Sequence, residues 1–199
     1  MTNDVPIRAD ARENRVRILA AAEDVFGRRG AEASTEEVAR LAGVGIATVF
    51  RHFPTKAALL EEVLVRRFTR LRDHAASLAD TDDPGGALAD LFRHVVADAP
   101  GKIAIGDALA GAGGAQERAN QVAQEYRKHV SALARHAQQT GAIRDDVRPA
   151  EVYALLVATA RTGALVGVTG PARERLTDVV LDGLRHGSVG GARRGVGLS

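Results

Sequence analysis

Ser34-Thr35-Glu36-Glu37-Val38-Ala39-Arg40-Leu41-Ala42-Gly43-Val44-Gly45-Ile46-Ala47-Thr48-Val49-Phe50-Arg51-His52-Phe53-Pro54-Thr55-Lys56 is the stretch on which the fold turns. Ser34 is placed to cap a helix, and Glu37 three residues on completes a capping box. The helix it opens is short, about Thr35 to Ala42, and is expected to bury Val38 and Leu41. Gly43 and Gly45 tolerate positive φ and interrupt it, and a third short helix follows from about Ile46 to His52. Phe53 precedes a proline and is pushed out of the α region, so that helix ends there and Thr55 caps the next. Two short helices joined by a glycine turn, the second poor in acid and followed by a cation, make a helix-turn-helix.

Outward from this stretch the chain reads as helix after helix. Apolar residues recur at spacings of three and four, and no β-branched or aromatic run alternates with period two, so the expected class is all-α with no sheet. A first helix, about Ala11 to Arg29, carries the stripe Ile18, Leu19, Ala22, Val25 and Phe26 and stops at Gly30. The fourth helix carries Leu60, Val63, Leu64, Phe68, Leu71, Ala75 and Leu78, and Asp80 to Gly86 breaks the pattern. Further helices are expected at about 86–98, 101–111, 116–139, 149–168 and 172–187, about nine in all. The Gly- and Ala-rich segment 101–115 predicts a weak helix able to shift or to pack tightly. The division that follows is a helix-turn-helix domain over 1–56, a larger helical domain over 57–187 and a disordered tail over 188–199, too polar and glycine-rich to bury a core.

Composition narrows the classes. With 199 residues, 45% hydrophobic and 26% charged, the chain has globular proportions and room for one or two domains. The uncharged runs Val152 to Ala160 and Thr162 to Ala172 are split by Arg161 and fall short of a membrane span. Asp4, Arg8, Asp10 and Arg12 leave no apolar stretch for a secretory signal, so a cytoplasmic location is expected. The absence of cysteine removes disulfides, thiolate catalysis and zinc sites that need sulfur. Residues 1–70 hold 12 Lys and Arg against 10 Asp and Glu, whereas residues 71–199 hold 15 of each, so the whole net charge of +2 lies in the first third. Val38 to Leu60 contains no acid but includes Arg40, Arg51, His52 and Lys56.

A helix enters the B-DNA major groove only if its outward side chains are small or polar and its neighbours bring cations to the phosphates. Val49 and Phe53, four apart, are the inward positions of the third helix, which leaves Ile46, Ala47, Thr48, Phe50, Arg51 and His52 facing outward to varying degrees. Thr35, Val38, Ala39, Ala42-Gly43-Val44, Thr48-Val49-Phe50, His52-Phe53, Thr55-Lys56 and Leu59 together closely resemble the amino-terminal domain of the TetR family of transcriptional regulators, over about residues 12–65. The subgroup running G-V-G-x-x-T-V-[YF]-R-H-F-P-T-[KR] is the most similar, and Gly141-Ala142-Ile143-Arg144-Asp145-Asp146-Val147 is similar to that subgroup's carboxy-terminal domain.

The resemblance implies that Thr35 and Lys56 hold phosphates from the starts of the second and fourth helices, where free N–H groups and the helix dipole favour an anion. It implies that Gly45, Ile46 and Ala47 face the groove, where small or aliphatic side chains read a thymine methyl, and that Thr48 and His52 touch phosphates. Phe50 stands where the family more often has tyrosine; it keeps the ring and lacks the hydroxyl, and Arg51 beside it is the substitute donor. Thr35 can equally be only a helix-start residue, and Arg8, Arg12 and Arg15 are either an arm for the minor groove or solvated surface.

The family further implies a homodimer through the last two helices, about 149–187. Ala154, Leu155, Ala158, Thr162 and Leu165 with Leu176, Val179, Val180 and Leu184 are the residues for a four-helix seam. Two-fold symmetry then implies a pseudo-palindromic double-stranded DNA operator, with a repressor as the expected sign of regulation. A helical domain of about 130 residues has room for an apolar pocket for a small-molecule effector. Phe92, Tyr126, His129, Tyr153 and Arg161 are the candidates to line it. Arg161, alone in an apolar run, is either paired, at an interface edge or placed for an anion. No cofactor is implied. An enzyme finds no support: G-x-S-x-G, H-E-x-x-H, G-K-[ST] and a strand followed by G-x-G-x-x-G are all missing. The spacings of His129 with His136 and of His94 with Asp98 suit a metal site, but surface or core roles outweigh it. A DNA-binding protein without an effector is the remaining alternative, and it lacks a pocket.

Overall fold

The computed structural model describes residues 5–114 and 116–185, with side chains from Asp10 onward. Among them are eight α-helices and no strand: α1 Val5–Arg29, α2 Thr35–Ala42, α3 Ile46–His52, α4 Lys56–Ser77, α5 Pro84–Gly111, α6 Glu117–Gln139, α7 Pro149–Leu165 and α8 Gly170–Leu184, with a 3₁₀ turn Gly30–Glu32 after α1. The tail expected over 188–199 lies outside the described residues.

Local chemistry sets the short helices. The Ser34 hydroxyl accepts the Glu37 N–H at 3.2 Å while the Glu37 carboxylate accepts the Ser34 N–H at 3.0 Å, so the capping box forms as the spacing predicts. Gly43 takes φ 65° at the end of α2, and the Val44 N–H reaches back to the Ala39 carbonyl at 3.1 Å. Gly45 has an ordinary φ of −70°, so one left-handed residue makes the turn, not two. The Thr55 hydroxyl accepts the Ala58 N–H at 3.0 Å and opens α4.

Two expectations change. Leu41 is 55% exposed, because the buried face of α2 runs through Thr35, Val38, Ala39 and Ala42, a two-turn stripe at i, i+3, i+4 and i+7 that leaves Leu41 outside it. The two helices expected at 86–98 and 101–111 are one, α5, with Pro100 inside it. Proline removes one backbone hydrogen bond there. The flanking turns are nevertheless held on both sides, by Val95, Val96 and Ala99 before it and by Ile105, Ala108 and Leu109 after it, all buried.

Those two flanks belong to different cores. Leu71, Ala75, Leu88, Phe92, Val95, Tyr126, Val130, Leu133, Val152, Leu156, Leu181 and Leu184 form part of one. The other gathers Ile18, Phe26, Val38, Val49 and Phe53 from the first three helices. It is completed by Leu59, Leu60, Val63 and Leu64 of α4, Ile105, Ala108 and Leu109 of α5, and Ala119 of α6. Phe68 packs against both.

Where α1, α4 and α5 meet, the buried Arg67 donates to the Asp98 carboxylate and has its Nε 3.7 Å from Glu23. Its guanidinium lies against the Gly101 backbone, where a Cβ would come within 3.0 Å of it. Removing one partner of a buried charge leaves the other uncompensated, whereas replacing the cation removes its desolvation penalty as well. Asp98→Asn is therefore expected to lower unfolding free energy by about 1–3 kcal/mol, and Arg67→Met by less, in urea denaturation of each variant. Equal losses would show that the pair acts by packing alone.

Candidate nucleic-acid interface and effector cavity

The outward face of α3 is built by what its inward residues satisfy. Val49 and Phe53 are buried in the core beneath it, so Gly45, Ile46, Ala47, Phe50 and Arg51 stand exposed and Thr48 and His52 partly so. Ile46 is 36% and Phe50 43% exposed, an apolar pair on a surface with no acid in the first turn of α3 and Arg51 and His52 in its last. Gly45 supplies no side-chain cap, which leaves the first N–H groups of α3 open to solvent or an anion.

Thr35 is buried, at the first position of α2. An anion at this helix end would meet backbone N–H groups before the buried threonine side chain. Lys56 is folded back: its Nζ donates to the Ala31 carbonyl at 3.1 Å and the Ala33 carbonyl at 2.7 Å, and lies 5.4 Å from the centre of the Phe26 ring. An ammonium carries three donors, so this one braces the segment leading into α2 and keeps one for a further acceptor. Arg15 is also a brace, stacked 4.6 Å over Phe53 and 3.1 Å from Glu62. Arg12 is exposed, and the Arg8 side chain lies outside the described residues.

Between the cores, α4, α5, α6 and α7 line a partly open cavity of about 250 Å³. Of the five candidates, Tyr126, Tyr153 and Arg161 line it, whereas Phe92 and His129 do not. Phe92 is wholly buried in the core. The sequence reading missed Leu64, Phe68, Lys102, Ile103 and Gln116, which also line it. The available signal was Lys102, the lone cation between Arg93 and Arg118. Desolvation lowers the Lys102 pKa from its ordinary value, with Asp98 opposing and Arg67 reinforcing the shift. Burial raises the phenols of Tyr126 and Tyr153, so both stay protonated at neutral pH. The Tyr126 hydroxyl is buried with no hydrogen-bond partner, and the Gln116 amide donates to the Gly106 carbonyl at 3.2 Å between α5 and the start of α6.

On α7 and α8, Ala154, Leu155, Ala158, Thr162, Leu165 and Val179 are exposed, Leu176 and Val180 are partly buried, and Leu184 is buried in the chain's own core. Leu165 and Val179 are 71% and 70% exposed. No group of three or more His, Asp or Glu that could hold a metal occurs among the described residues, and no described helix is long and apolar enough to cross a membrane.

An all-helical chain that presents a glycine-turned helix pair on one core and a cavity in the other has the construction of a helix-turn-helix regulator. The chain belongs to the TetR family of transcriptional regulators, and is not an enzyme. Residues 18–63 match the family model for bacterial regulatory proteins of the tetR family, and residues 83–186 match the SbtR-like transcriptional regulator carboxy-terminal domain. A solved TetR transcription regulatory protein from Mycobacterium vanbaalenii is 39% identical with a TM-score of 0.72, covering 90% of this chain and 99% of that one. The TetR transcriptional regulator SCO0520 from Streptomyces coelicolor is 35% identical with a TM-score of 0.70, covering 86% and 98%. Among curated relatives, the HTH-type transcriptional regulator TtgR of Pseudomonas putida is 33% identical over 100 residues. That match spans 46% of this chain and 47% of the relative, so the chain matches about half the length of such curated proteins.

Proposed function

We propose that the protein is a cytoplasmic homodimeric repressor that binds a pseudo-palindromic operator through α3 and is released from it by a small molecule in the cavity. We place it in the subgroup with the G-V-G-x-x-T-V-[YF]-R-H-F-P-T-[KR] recognition segment, which residues 43–56 fit. We assign DNA reading to 1–56 and effector binding and dimerisation to 57–187, with α7 and α8 as the seam. One observation carries the switch: Leu64 lines the cavity and also sits in the helix-turn-helix core. An effector that moves α4 therefore moves the floor on which α3 rests. The release is a change in the distance between two recognition helices that must otherwise fit major grooves about 34–36 Å apart.

Selection of duplexes from a random library by the purified chain, followed by affinity of the winner against salt, tests the reading. A two-fold symmetric site with a steep salt slope is expected; no enriched sequence contradicts it. In the same assay Lys56→Ala is expected to weaken all duplexes alike and reduce the salt slope by about one, through loss of its remaining donor to a phosphate. Substitutions of Ile46 or Ala47 are expected to change which sequence is preferred, at about 1–3 kcal/mol per altered base pair. Equal loss of discrimination from both kinds of variant would end this division of labour.

A further inference from the structure

We propose that the cavity takes a small, mainly apolar carboxylic acid, with its carboxylate held by Lys102 and Arg161 and a hydrogen bond from the Tyr126 hydroxyl. The inference rests on the effector reading above and names the class of molecule. Leu64, Phe68, Val95, Ile103 and Leu156 make most of the lining apolar, which calls for a hydrocarbon or aromatic body. The polar groups among them are mainly donors. Lys102 projects from α5 with no carboxylate in ion-pair range among the described residues, although the Asp98 charge acts on it, and its ammonium lies 5.1 Å from the centre of the Phe68 ring. Arg161 projects from α7, with no ion pair or hydrogen bond among the described residues. The one acid on the lining, Asp107, is exposed, as is Arg161 at the edge of the same cavity, and the nearby Asp98 already accepts from Arg67.

Tyr126 supplies an independent observation. It is 2% exposed, lines the cavity, and its hydroxyl has no partner. A buried hydroxyl left unsatisfied is destabilising, so an occupant that shifts the Tyr126 ring far enough to accept from it gains a hydrogen bond the empty protein lacks. A carboxylate oxygen accepts from a phenol, an ammonium and a guanidinium alike; an amine is repelled by the two cations and an amide offers them a weaker acceptor. Size sets the rest of the molecule. A cavity of about 250 Å³ suits a body of roughly ten non-hydrogen atoms.

The test is calorimetric titration of the purified chain, without DNA, with straight-chain carboxylates of six to twelve carbons and with 4-phenylbutyrate. Octanamide and octylamine serve as matched controls. Acids near eight carbons are expected to bind, octanamide at least tenfold more weakly and octylamine not at all. Failure of every acid, or equal binding of the amide or amine, overturns the proposal. Tyr126→Phe is expected to weaken the acid about ten- to a hundredfold while leaving the melting temperature of the empty protein unchanged or higher, a combination that loss of a packing role would not give. Lys102→Gln is expected to lower acid affinity and leave octanamide affinity unaltered; equal loss for both assigns Lys102 to packing and overturns its role. Operator release, read separately by fluorescence anisotropy, divides the two readings. An acid that binds without releasing the operator contradicts the switch and keeps the ligand class, whereas release by a neutral or cationic compound alone keeps the switch and overturns the class.

Discussion

A chain carrying Leu165→Asp with Val179→Asp is expected to sediment as a monomer and, on the proposed dimer, to bind its operator about 10²–10⁴-fold more weakly than the unaltered chain. The magnitude is that of losing bivalency: two half-sites held by one dimer present the second contact at millimolar effective concentration, and a monomer forfeits that without losing any base contact. Both side chains are more than two-thirds exposed on helices whose inner faces are already buried, so the substitutions do not disturb the chain's own core. The proposed seam between copies would cover the exposed apolar residues Leu155, Leu165 and Val179 of α7 and α8. Sedimentation velocity and operator titration check the two halves of the statement. A double variant that stays dimeric would move the seam elsewhere.

Leu109→Ala, far along the chain from the recognition helix, is expected to remove about 2–5 kcal/mol of stability and to take DNA binding with it at moderate denaturant. Leu109 is wholly buried, in the same cluster as Phe26, Val38 and Val49. For a protein stabilised by about 5–15 kcal/mol this is a large fraction. Hydrogen exchange gives the sharper reading: amide protection in α1 is expected to fall together with that in α5. Unchanged protection around Ile18 and Phe26 would show that the two cores are energetically independent.

How much of this was legible in sequence follows from where the information is local. The capping box at Ser34 and Glu37, the stop at Gly43 and the bounds of α2 and α3 are set by residues within a few positions of each other, and the turn signals place them. Leu41 was misplaced because a helix eight residues long admits two stripes one residue apart, and the choice is made by α1, not by α2. The fusion of α5 across Pro100 was illegible for a similar reason. A proline reads as a stop unless both flanks are clamped, and the clamps, Arg67 and the two cores, are remote in sequence. Lys56 shows the limit for the interface. The motif marks the position, but its two carbonyl partners at Ala31 and Ala33 depend on how the turn before α2 folds back. The cavity was least legible, since four helices contribute to it and only Tyr126, Tyr153 and Arg161 were identifiable as its residues.

The reach of α5 into both cores bears on how such a chain can be recombined. If residues 1–56 were transplanted onto a different sensor, Ile18, Phe26 and Val38 would arrive without Leu59, Leu60, Ile105, Ala108 and Leu109, which now close over them. The graft would expose that face or repack it against side chains chosen for another neighbour. Exchange of DNA-reading segments between relatives should therefore succeed where the ends of α4 and α5 are matched as well, so a crossover near residue 57 is a poorer junction than one that keeps this three-part contact intact.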